Sequence, residues 1–174
     1  MKLKRMKLKQ VKEFDRRGSA THEAGHVVVA AVLGVRGSAH IWETDTRQPY
    51  QEKTVIGTAS FLLFPRPSKR TLGAVGIAGA IAELMADPKI DDYASQYLIE
   101  DWEELVGNTL STTDLSLITK GWKARQSAAD KTQEILTDFA RQHAAIREEL
   151  IEIGDVSDGT VWDTVHGGPA SLLP

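Results

Sequence analysis

The sequence sets His22, Glu23 and His26 in the order H-E-x-x-H, with Ala24 and Gly25 between them. On a helix, residues four apart stand one above the other on the same face, with Cβ atoms about 5–6 Å apart. Two imidazoles placed in this way can reach one zinc ion at roughly 2.0–2.1 Å each. Glu23, next to the first histidine, can reach a water at such an ion's open position without being a ligand itself. The ion would lower that water's pKa towards about 7, and the carboxylate would take its proton during attack on a carbonyl. The bland alternative is a pair of hydrogen-bonded core histidines. An otherwise apolar helix that gives three positions to ionisable groups must satisfy them all, and a metal does so at one stroke.

A third protein ligand has to come from elsewhere in the chain. One class of these hydrolases continues the motif to a third histidine ten residues after the first, but that position is Val32. Two carboxylates are eligible. Glu83 lies between Ala82 and Leu84 on a later helix, and Asp114 follows Ser111-Thr112-Thr113 at a helix start. Asp114 would also be at home there as an ordinary acid favoured by the helix dipole, and spacing does not choose between the two. His143 falls on the apolar stripe of a long helix and reads as a hydrogen-bonded core residue, while His40 and His166 are given no role. The chain has no cysteine. That excludes thiolate zinc sites, iron–sulfur clusters, disulfides and cysteine nucleophiles, so any metal is held by His, Asp or Glu. There is also no G-x-x-x-x-G-K-S/T loop, no G-x-S-x-G elbow and no G-x-G-x-x-G run.

The elements that must position these residues are legible in outline. A first helix is expected from Ala20 to Leu33, capped by Ser19, ended by Gly34 and, being apolar all round from Val27 on, buried. Ser38–Trp42 and Thr54–Phe64 read as two strands, separated by a polar stretch with Pro49 and Tyr50 and ended by Pro65 and Pro67. Ser68 opens a helix to about Ala86 that carries Gly73, Gly76 and Gly79. Each of these costs about 1 kcal/mol of helix propensity, which close packing against a neighbour would offset. Further helices are expected over 91–106, 113–120 and, as one long amphipathic unit with Ile135, Phe139, His143, Ile146, Leu150 and Ile153 on its apolar face, beyond Gly121. A turn and a short last helix follow over 155–165. The result is a mainly helical α+β chain with one small sheet.

The 174 residues suit one domain. Hydrophobic residues make up 41% and charged residues 26%, ordinary values for a globular protein. The net charge of −3 conceals an asymmetry: residues 1–17 hold eight Lys/Arg against two acids, and the rest holds thirteen against twenty-two. We therefore divide the chain into a basic N-terminal arm (1–17), a body (18–166) and a flexible tail (167–174). The arm could meet an acidic partner. Nucleic acid is not the expected target, because the arm has few aromatics and the body is acidic; Trp102 and Trp122 read as core or edge residues rather than a base-stacking platform. No apolar stretch approaches the ~20 residues of a membrane span, and no secretory leader is visible, so a cytoplasmic location is expected.

Taken in order, these stretches resemble a known family. Thr21-His-Glu-Ala-Gly-His26 followed by Val27-Val-Val-Ala-Ala31 resembles the zinc helix of the FtsH-type ATP-dependent metalloproteases. Ala78-Gly79-Ala-Ile-Ala82-Glu83-Leu84 is similar to the family's G-G-R-A-A-E-E-L helix, with Ala80 in place of its Arg and Leu84 in place of its second Glu. Ser111-Thr-Thr-Asp114-Leu115 is similar to the turn ending in its third zinc ligand, and residues 147–162 resemble its final helices. The resemblance implies a zincin-like metallopeptidase domain with a small β-sheet beside the zinc helix. It further implies Zn²⁺ held by His22, His26 and Asp114, Glu23 as general base, and Glu83 as an outer partner of a ligand. The family's ATPase module and membrane spans have no counterpart here, and the segment between the Asp114 helix and the last long helix is shorter. The expected substrates are accordingly peptides, flexible segments or one dedicated partner protein, with an oligomer possible. The rival expectation is a non-catalytic adaptor module whose zinc is structural.

Overall fold

The computed structural model of the chain describes residues 8–44 and 54–167. Its longest element is helix α1, Leu8–Val32. Ala20, Ala24 and the run Val27–Ala31 are fully buried, as a helix apolar on all sides requires. The helix begins twelve residues earlier than the apolar pattern suggests. Residues 8–17 of the stretch read as a basic arm are its first turns, and side chains there hold the sheet. Lys12 pairs with Glu43 at 2.7 Å, Asp15 accepts from the Thr54 amide and hydroxyl at 2.7 Å each, and Arg16 donates to the Ile151 carbonyl. The expected cap, Ser19, is therefore mid-helix. Its hydroxyl donates instead to the Val55 carbonyl.

The sheet comprises β1 (Gly37–Glu43), β2 (Val55–Phe61) and β3 (Asp155–Val156) in the order β2-β1-β3, antiparallel throughout. The register pairs Gly37 with Phe61 and Glu43 with Val55, and β3 joins at Ala39 and His40. Alternation along β1 buries Ala39 and Ile41 against α1 and leaves His40 and Trp42 outside. The two-residue β3 was not expected from the sequence, which shows only a turn there. The polar stretch with Pro49 and Tyr50, the first seven residues and the tail beyond Gly167 lie outside the described residues.

Helix α2 (Lys69–Met85) opens at Ser68, whose hydroxyl accepts from the Thr71 amide, and is buried from Gly73 to Ala82. After it come a 3-10 turn (Asp91–Tyr93) and the short helices α3 (Ala94–Glu100) and α4 (Trp102–Thr109). The helix expected over 91–106 is thus broken, with Asp101 leaving helical geometry at φ −100°, ψ 24°. Helix α5 (Thr112–Leu117) is short. The long helix expected beyond Gly121 is two, α6 (Trp122–Asp138) and α7 (Ala140–Ile153), parted at Phe139. The break lets α6 pack on α2 while α7 packs on α1. Helix α8 (Asp158–His166) closes the described chain. Among the described residues the architecture is a mainly helical α+β arrangement of eight helices and this three-stranded antiparallel sheet. No helix among them is long and apolar enough to cross a membrane.

Candidate metal centre

His22 and His26 lie where α1 packs on α2. A Cβ on Gly25 would stand 2.8 Å from the Ala78 carbonyl, and one on Gly79 would stand 2.4 Å from the His22 ring. Glycine at these two points is what lets α1 and α2 approach with the imidazoles between them. Gly76 serves the neighbouring element in the same way, since a Cβ there would meet the Asp114 carbonyl at 2.7 Å and the Leu117 side chain at 2.9 Å. Two of the three spaced glycines of α2 thus clear room for the histidines and for α5. Gly73 does not, as its nearest neighbour, the Ala128 methyl, lies at an ordinary 3.7 Å.

Two ring nitrogens and a carboxylate converge in that space. His22 Nε2 and His26 Nε2 are 3.0 Å apart, Asp114 Oδ1 is 3.4 Å from His26 Nε2, and Asp114 Oδ2 is 3.8 Å from His22 Nε2. With one atom taken from each residue, the three lie within 4.8 Å of one another, against the roughly 3.3 Å between ligand atoms of a tetrahedral ion bound at 2.0–2.1 Å. His26 and Asp114 are buried and His22 nearly so. Together His22, His26 and Asp114 form a buried group that could hold a metal ion.

Each donor is braced from behind. His26 Nδ1 donates to the Val75 carbonyl at 2.7 Å, which leaves Nε2 as the atom facing the shared space. His22 Nδ1 stands 3.1 Å from Glu83 Oε1. Asp114 Oδ2 accepts from both the Ser111 amide (2.9 Å) and hydroxyl (2.7 Å), and Ser111 in turn accepts from the Asp114 amide, so a capping box fixes the carboxylate. Such outer partners set ring orientation and ligand basicity in metal sites generally. Of the two carboxylates left open by spacing, Asp114 joins the histidine nitrogens and Glu83 stands behind His22.

Burial and charge divide the protonation states sharply. Burial works against a charge on His22, but the neighbouring Asp114 and Glu83 carboxylates outweigh it and raise the pKa from 6.5 to about 9. Burial and the adjacent His22 charge lower that of His26 to about 4. For Asp114, burial pushes upward, yet the neighbouring His22 and His26 rings and the hydrogen bonds from Ser111 bring it down to about 2. Without a metal, the group at neutral pH is a protonated His22 between two carboxylates, beside a neutral His26.

Glu23 is buried, one residue along the helix from His22, and its side chain lies against β2. A Cβ on Gly57 would stand 2.5 Å from Glu23 Cγ and 2.7 Å from its Oε1. Glu23 is the third member of a stripe on α1, since Asp15, Ser19 and Glu23 at spacing four meet Thr54, just before β2, and then Val55 and Gly57 on it. The sequence reading missed Gly57, whose signal was a lone glycine inside a β-leaning run. Ser111, which the sequence shows only as part of the turn before Asp114, is a second such residue, since its amide and hydroxyl hold the Asp114 carboxylate. His143, expected in the core, is largely buried with Nε2 3.1 Å from the Thr21 carbonyl. His40 lies outside on β1 and His166 reaches the Ala31 carbonyl, so neither joins the centre.

No model of a known protein family matches the chain, and no curated protein matches it.

Proposed function

We propose that the protein is a zinc-dependent peptidase of zincin-like fold, resembling the FtsH-type protease domain. The observation that carries this reading is the convergence of His22 Nε2, His26 Nε2 and the Asp114 carboxylate in one buried group, with Glu23 at the adjoining helix position. A two-nitrogen, one-oxygen donor set suits zinc, and three protein ligands leave a position for catalysis where structural sites fill all four. When bound, such an ion acidifies water and polarises a carbonyl. Glu23 accepts a proton from the attacking water and passes it to the amine of the leaving segment, which completes peptide-bond cleavage without a covalent intermediate. Its position against β2 holds the carboxylate in one orientation for both transfers. Beyond that carboxylate, β2 is the outer strand of the sheet, and its second edge is unpaired among the described residues. An extended peptide can add to that edge by main-chain hydrogen bonds and so lie past Glu23.

The test is digestion of an unfolded protein and a peptide library by the zinc-loaded chain. Cleavage should stop with a chelator and return with zinc. Glu23→Gln should keep about one zinc per chain while turnover falls by about 10²–10⁴-fold, because it removes the base and no ligand. Zinc bound by the wild-type chain with no cleavage of any peptide would leave a structural module instead.

A further inference from the structure

The segment after β2 breaks two local rules at once. Leu62, Leu63 and Phe64 are consecutive and exposed, at 62%, 44% and 95% respectively, so that almost the whole Phe64 ring stands in solvent. Directly behind them come Arg66, Lys69 and Arg70, all exposed, and the chain holds no acid between Glu52 and Glu83 although its body is acidic overall. Lys69 and Arg70 occupy the first turn of α2, where the helix dipole disfavours cations and no acid offsets them. None of the three cations makes an ion pair among the described residues. The acids that border this ground have other partners: Asp158 pairs with Arg36 at 3.1 Å, Asp155 stands 3.5 Å from His40, and beside Arg70 Glu134 pairs with Lys131 at 3.0 Å while Asp130 accepts from Gln126 at 2.8 Å.

An apolar tip with a collar of unpaired cations has a specific complement. The cations call for a dense array of anions, and the tip calls for an apolar medium just beyond that array. A bilayer containing anionic phospholipid presents both in the right order, headgroup phosphates outside and acyl chains within. Pro65 and Pro67 restrict the backbone on either side of Arg66, and the Leu62 amide is tied to the Arg36 carbonyl at 2.9 Å, so little ordering is left for binding to impose.

We infer that residues 62–70 form a docking loop for an anionic lipid surface, with Phe64 and its two leucines entering the headgroup–acyl boundary and Arg66, Lys69 and Arg70 on the phosphates. The inference stands apart from the peptidase reading and survives its failure. If both hold, Gly57, which lies against Glu23, stands roughly 17 Å along β2 from the loop, within reach of segments emerging at a membrane surface.

The chain's lack of cysteine makes a direct test simple. Phe64→Cys, labelled with an environment-sensitive fluorophore, is titrated as full-length protein with phosphatidylcholine vesicles with and without phosphatidylserine. The expected result is a blue shift and co-sedimentation with the serine-containing vesicles, weakened by salt. In the unlabelled chain, Phe64→Ser should weaken vesicle binding about tenfold, and neutralising Arg66 and Lys69 about fivefold each. All these sites are exposed, so an unchanged melting temperature checks the fold. Binding that ignores the loop substitutions but is lost on neutralising Lys2, Lys4 and Arg5 would assign it to the basic start of the chain and overturn the proposal. So would absence of vesicle binding, including the case in which Phe64→Ser abolishes capture of a denatured apolar protein, which would make the loop a peptide-docking surface.

Discussion

The metal centre and the loop at residues 62–70 solve opposite problems. At the centre, His22, His26 and Asp114 are each held from behind by Glu83, the Val75 carbonyl and Ser111, and each still has one atom turned towards a common point. On the loop, three apolar and three cationic side chains stand in solvent with no ion pair among the described residues. Burial accounts for the first half of this contrast, since a buried polar group left unsatisfied costs about 1–3 kcal/mol. On the inner side His22 Nε2 and His26 Nε2 stand 3.0 Å apart, within hydrogen-bond reach of each other and beside the Asp114 carboxylate, so the metal-free pair is satisfied by its own members.

The contrast can be broken at the centre first. Asp114→Asn should lower zinc affinity by more than about 100-fold, beyond the loss typical of an outer partner, and dialysis followed by metal analysis reads it. Glu83→Gln and Ser111→Ala remove only braces and should each weaken affinity about 10–100-fold. Ser111→Ala should also cost about 1 kcal/mol of stability through the lost cap. If Glu83→Gln strips the metal while Asp114→Asn keeps it, with both variants folded by circular dichroism, the ligand set is wrong.

The protonation pattern gives a smaller, graded effect. His22 must lose its proton to bind a metal through Nε2, and His26 is already neutral above about 4. One proton therefore leaves per ion bound, and affinity should rise about tenfold per pH unit through neutrality and flatten above pH 9. The metal-free fold moves the other way. The folded pKa of His22 lies above its ordinary 6.5, so its stabilisation is complete below pH 6.5 and is lost as pH rises through about 9. Calorimetry in buffers of different ionisation heat should count the proton, and the gap in melting temperature between loaded and metal-free protein should widen with pH over that range.

The smallest effects sharpen the contrast from the loop side. Phe64→Ser and Arg66→Gln should leave zinc affinity unchanged and stability within about 0.5 kcal/mol, since neither side chain is buried. Any larger loss would mean that the loop is coupled to the centre.

The pair His22 and His26 was legible because one helix fixes both, and i,i+4 geometry needs no tertiary information. Asp114 and Glu83 could not be ranked by spacing, because the choice is made where α5 and His22 settle over Gly76 and Gly79, contacts that join residues far apart in the chain. The resemblance to a known family named Asp114, and the geometry groups it with the histidines. The start of α1 was missed for a different reason. Its first turns are polar and show no apolar stripe, and they are held by Lys12, Asp15 and Arg16, whose partners lie on distant elements. The break at Phe139 was equally invisible. No glycine or proline marks it, and it exists because α6 and α7 pack on different helices.

The stripe of Asp15, Ser19 and Glu23 along β2 turns the length of α1 into a measure. An α-helix advances about 1.5 Å and turns about 100° per residue, so these contacts hold only at their present phase. Deleting one residue between Ser19 and His22 would leave the clasp at Thr54 and Val55 in place and swing everything downstream by a quarter-turn or so. The histidines would leave the α2 side and Glu23 would leave Gly57, with no change in composition and no lost ligand. The centre is thus specified by counting as much as by residue type, and an insertion or deletion in this interval should be far less forgiving than most substitutions within it.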